Sequence, residues 1–136
     1  MVGAPKLPIH VTPSPSAAAE RILNVFDWLE RWVGNGAFRG CPFVNAVAEL
    51  GALTHAATKI ALAYKEQRRL WFRDLLIELG AKDADMLATQ IQILVDGAIA
   101  TALVRGDPGA ARAAKAAARV LLKAAGVREG EAVTSR

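Results

Sequence analysis

The stretch Ile91-Gln92-Ile93-Leu94-Val95-Asp96-Gly97-Ala98-Ile99-Ala100-Thr101-Ala102-Leu103-Val104 decides the fold. A surface helix carries one apolar stripe and an opposite polar face. Here Leu87, Ile91, Leu94 and Ala98 form one stripe at helical spacing. Ile93, Ile99, Ala100, Leu103 and Val104 cover the remaining circumference, and only Gln92 and Asp96, four apart, mark a polar line. A helix apolar all round has to be covered all round. A short chain offers it one layer of its own, so the other side is expected to meet a second copy. Asp96 is expected to bond across a dimer axis or to a neighbouring helix. Gly97 allows close helix contact despite its cost of ~1 kcal/mol in a helix interior. The polar interruptions, and a greasy run of this length, are read as too polar and too short for a bilayer span.

Working outward, Asp83 caps this helix at one end and Gly106 stops it at the other. Asp107-Pro108 then opens a last helix that ends near Gly126. Ala110, Ala114, Ala117, Leu121 and Ala124 give it a small-residue face, with Arg112, Lys115, Arg119 and Lys123 opposite. Val95, Ile99, Leu103, Ala110, Ala114, Ala117 and Leu121 are therefore expected to form a homodimer interface, an intermolecular four-helix bundle. Two-fold dimers are the commonest oligomers. The basic stripe reads as a solvated face, because no aromatic residues interleave with it as they do in single-strand binders.

Toward the N-terminus, Thr54 is expected to cap a long helix that ends at Leu79 before Gly80, with Ala57, Ile60, Ala61, Tyr64, Trp71, Phe72, Leu75 and Leu79 on its apolar face and Lys59, Lys65, Glu66, Arg69 and Arg73 away from it. A short helix over 43–50 precedes it and breaks at Gly51. The first helix starts at the Ser14-Pro15 cap and runs to about Val33, where Gly34-Asn35-Gly36 stops it. Ala19, Ile22, Phe26, Leu29 and Val33 share its core face, and Trp28 falls off that face. Residues 1–13 hold three of the chain's six prolines and read as an extended arm. The expected organisation is thus an arm over 1–13, a domain over 14–126 and a tail over 127–136. The expected fold class is all-α, a five-helix bundle, since no strand-type alternation appears.

The chain has 136 residues, enough for one core and too few for two. Its formal charge of +4 is modest for a dedicated nucleic-acid binder. Cys41 is the sole cysteine, so no internal disulfide forms, which fits a reducing, cytoplasmic setting. As a small buried hydrophobe or a redox sensor, Cys41 is read as the former. His10 and His55 have no partners at metal-ligand spacing. No phosphate loop, nucleophile elbow or zinc-protease motif is present, so neither enzyme activity nor a cofactor is expected.

Arg68 shares a helical face with Tyr64, Trp71 and Leu75. A cation on an apolar face costs free energy unless it is paired or its head reaches water. An anionic ligand, Asp96 or Glu49 could meet it. Phe26, Leu29, Phe38, Cys41, Phe43, Tyr64, Trp71, Leu75, Ile91 and Leu94 make the surrounding region rich in aromatic and aliphatic side chains. Such residues line ligand pockets and equally fill ordinary cores.

The run Phe38-Arg39-Gly40-Cys41-Pro42-Phe43-Val44-Asn45-Ala46 is followed by a long helix, by Gln90 to Ala98, and by Gly106-Asp107-Pro108 before an alanine-rich helix. In that order and spacing it resembles the C-terminal domain of TetR-type transcriptional regulators, over about Ser14 to Ala125. The resemblance implies an effector-binding and dimerisation domain with the ten apolar residues above and Arg68 around a small, mainly apolar effector. It also implies a helix-turn-helix module ahead of Ser14. The thirteen residues there hold no such pattern, so this chain is expected not to bind an operator by itself. A free-standing helical binding or dimerisation protein of the same fold is the alternative.

Overall fold

A computed structural model describes residues 15–50 and 56–129. The arm over 1–13, the cap residues Ser14 and Thr54, Gly51, both histidines and the end of the tail lie outside the described residues. Five α-helices follow one another: α1 (Pro15–Val33), α2 (Pro42–Leu50), α3 (Ala56–Glu78), α4 (Ala84–Arg105) and α5 (Gly109–Ala124). No strand occurs among the described residues.

The stop and start signals work as local chemistry demands. Asp83 accepts from the Met86 N–H and adopts a left-handed backbone, φ 52°, that its short polar side chain tolerates. Gly106 closes α4 in the left-handed region at φ 65°, its N–H bonding Ala102 O. Asp107 accepts from the Gly109 N–H at 2.8 Å and so caps α5.

Helix α4 is the centre of the bundle and packs against α5, α3 and α1. Leu87, Ala88, Ile91, Val95, Ala98, Ile99 and Ala102 are all buried within the chain. Helix α1 lies against α5, α3 and α4, contributing Ala19, Ile22, Phe26 and Leu29. Trp28 is not isolated: it stacks on Trp32 at 5.4 Å, and Trp32 meets the edge of Phe38 at 5.0 Å. The α1–α2 loop is pressed onto α4. Gly40 has φ 86°, and a Cβ there would stand 2.8 Å from Leu103 Cδ2. Helix α2 packs on α3 and contains no buried residue.

Four expectations change. With all 22 residues counted, α4 is long and apolar enough to cross a membrane by length and composition. Its burial against three helices and its polar bonds to α3 are instead those of a core helix. Ile60, expected on the core face of α3, is exposed, whereas Leu76 is fully buried. Lys65, expected to point away, reaches α4. Val127, assigned to the tail, is buried, with its N–H on Leu122 O, so packing extends past residue 126.

Candidate functional site

Two surfaces and one polar hub organise the candidate site. The hub joins α3 to α4. Arg68 donates through Nε to Gln92 Oε1 and through Nη2 to Asp96 Oδ1, both at 2.8 Å. Lys65 donates to the same Asp96 oxygen at 2.6 Å, and Gln92 Nε2 returns a bond to Lys65 O. Gln92 and Asp96, the polar line of the apolar stretch, therefore serve one partner helix. Arg68 meets Asp96, one of the alternatives open from sequence, and not Glu49.

Beside the hub runs an open groove of about 360 Å³ between α2 and α3. Phe43, Val44, Val47 and Ala48 line it from α2, with Thr58, Ala61, Leu62 and Lys65 from α3. Phe43 stacks on Tyr64 at 4.3 Å, which ties α2 to α3 near the hub.

The expected pocket residues divide. Phe26, Leu29, Phe38, Cys41, Leu75 and Ile91 belong to one packed core. Phe43 lines the groove, Tyr64 backs it and Arg68 sits in the hub. Trp71 lies at the core edge, with the Arg21 guanidinium 5.6 Å over its ring. Leu94 is on the other side of the molecule, against α5. Val44, Val47, Ala48, Ala61, Leu62 and Lys65 were absent from the expectation. The α2 pattern Phe43, Val44, Val47, Ala48 is one-sided at helical spacing and could have pointed to them.

The second surface is the outer face of α4 and α5. Ile93, Leu94, Gly97 and Thr101 of α4 face Ala110, Ala113 and Ala117 of α5 across a shallow apolar groove of about 390 Å³. Ile93 is 63% exposed, Val104 85% and Val120 68%. Leu103, Ala110, Ala117 and Leu121, expected at an interface, are partly or largely accessible. Val95 and Ile99 are corrected: at 0% and 3% exposure they are interior to their own chain and cannot present a face to a partner. Ala114 is also mostly buried, while Ile93, Gly97, Thr101, Ala113 and Val120 take the outward positions.

Three cations of the basic stripe of α5 are engaged with acids. Lys115 bonds Asp27 at 2.7 Å, Arg112 meets Glu30 at 3.2 Å and Arg119 bonds Glu129 at 2.6 Å. A further clip joins α3 to α4, where Arg69 bridges Glu66 and Asp85. The bonds from Arg69 hold both carboxyls below their ordinary range and push the guanidinium up. Among the described residues no group of three or more His, Cys, Asp or Glu could hold a metal ion.

The described residues form a helical bundle with an apolar outer face and a side groove. No protein-family model and no curated protein matches the chain. Among solved structures it is similar to a Streptomyces avermitilis protein assigned to the TetR transcriptional regulators, with TM-score 0.77 and 32% identity. The match covers 89% of this chain and 64% of that one, so the chain spans less than two thirds of this relative. The five-helix, all-α architecture is consistent with the C-terminal domain of TetR regulators.

Proposed function

We propose that the chain is the small-molecule effector-binding and dimerisation domain of a TetR-type transcriptional regulator, working in the cytoplasm without chemistry of its own. The observation that carries this reading is the uncovered apolar face of α4 and α5. Large side chains such as Ile93 and Val120 stand in water there, beside a strip of alanine and glycine. Contiguous exposed apolar surface of this kind marks interaction sites. Small side chains let two helices approach closely, and a two-fold axis makes one patch complementary to itself. The TetR relative adds the family context.

In this reading the two subunits join through α4 and α5 into a four-helix bundle, and the α2–α3 side receives the effector. Helix α2, with no buried residue of its own, is the element a ligand can displace at least cost. A ligand shifts such a domain only by binding one arrangement better than the other.

The test is the double variant Ile93→Glu, Ala113→Glu examined by sedimentation velocity and circular dichroism. Two charges per subunit on an apolar interface are expected to give a folded monomer with unchanged helicity. A variant that sediments like the parent would refute the interface.

A further inference from the structure

From the groove between α2 and α3 we infer a ligand class: an anionic amphipath, an apolar body ending in one carboxylate. The inference deepens the proposed effector role and rests on it. Along most of its length the groove offers only carbon, from Phe43, Val44, Val47, Ala61 and Leu62. At one margin stands Lys65, the cation among its lining residues. Lys65 does not stand alone. It shares Asp96 Oδ1 with Arg68, so two cations meet one carboxylate and the cluster keeps a surplus of one positive charge.

The distribution of that surplus matters. The Lys65 and Arg68 side chains are 18% and 7% exposed, whereas Asp96 is 37% exposed. The positive groups are the more buried ones, and the acid that balances them is the most exposed of the three. Removing charge from water is unfavourable unless it is paired. A lysine ammonium has three donor hydrogens, and among the described residues one bond, to Asp96, is made. A second carboxylate at the groove margin would take a free donor and balance the cluster, while its chain lies against the α2 and α3 carbon surface. An uncharged amphipath gains only the second of these terms, and a cationic one is repelled.

Three probes of the same alkyl body separate the terms: octanoate, 1-octanol and octyltrimethylammonium, titrated calorimetrically against the full chain. Octanoate is expected to bind about tenfold tighter than octanol, the ratio a charged hydrogen bond supports. Octyltrimethylammonium is expected to bind weakest. Lys65→Met keeps the apolar stem and should erase the preference of octanoate over octanol. Asp96→Asn keeps an oxygen acceptor for both cations but raises the surplus, and should tighten octanoate severalfold. Ala48→Trp, at an exposed position in the groove, should block octanoate and leave the sedimentation of the chain unchanged. Equal binding of octanoate and octanol overturns the charge inference while leaving the groove an effector site. A Lys65→Met chain that still prefers octanoate also overturns it. If none of the three probes binds, the inference and the effector role of this groove fall together. The dimer, read by sedimentation, would stand or fall separately.

Discussion

Helices α4 and α2 are both rich in apolar residues, yet they have opposite fates. Helix α4 packs against three neighbours, and seven of its apolar side chains are buried. Helix α2 packs on α3 and buries none. The difference lies in where each sits in the chain's packing and not in hydrophobicity. A helix in the middle of the bundle carries stability. A helix at its side can carry a ligand, because moving it costs few contacts.

The sharpest way to break this contrast is to cut equal side chains from the two regions. Phe72 is fully buried against the centre, and Phe72→Ala is expected to cost about 3–5 kcal/mol by transfer and cavity terms. Phe43, half-buried and stacked on Tyr64, should cost about 1 kcal/mol when cut to alanine. Urea denaturation followed by circular dichroism reads both. Equal losses would mean that α2 is as much part of the core as the buried side of α3 at the centre of the bundle.

The hub between α3 and α4 should follow. Asp96→Ala leaves Arg68, 7% exposed, with Gln92 as its remaining partner there. Because Asp96 itself is over a third exposed, the expected loss is about 1–2 kcal/mol and not that of a fully buried pair. The loss appears in the same denaturation curve.

Gly40→Ala tests the loop that ties α2 to the centre. It places a Cβ at φ 86° and against Leu103, and should lower stability by about 1–2 kcal/mol. A thermal melt no different from the parent would show that the loop gives way.

The smallest expected effect is on pH. Glu66 and Asp85 have folded pKa values depressed by Arg69. A depressed carboxyl adds stability that is fully present above its unfolded pKa, here 4.5 for Glu66 and 3.8 for Asp85, and is lost as pH falls through the folded value. Replacing Arg69 by Met should therefore lower stability slightly at neutral pH and flatten the acid limb, the difference from the parent vanishing once both carboxyls are protonated. These groups are exposed, so added salt should shrink the difference.

Much of the fold was legible because glycine, proline and aspartate punctuate the chain at positions with definite backbone consequences. Asp83, Gly106 and Asp107 all act where the sequence puts them. The face of α1 was equally plain, since Ile22, Phe26 and Leu29 have size as well as spacing. The faces of α4 and α5 were not. A helix apolar all round does not say which side its own chain covers, so Val95 and Ile99 were assigned outward and lie inside. In α5 alanine occupies both sides. Ala111, Ala118 and Leu122 form the inner line, and no difference in side-chain volume separates Ala111 or Ala118 from Ala110 or Ala117. Arg68 was legible as a cation on an apolar face. Lys65 was not, because its role depends on Asp96 of another helix, thirty-one residues away.

The account turns on the outer face of α4 and α5 being covered by a second copy. Sedimentation equilibrium of the unaltered chain, across a dilution series through micromolar concentration, tests it most directly. The expected result is a species of twice the chain mass, 14.4 kDa, that dissociates only on dilution. A folded species of single-chain mass throughout the series would contradict it.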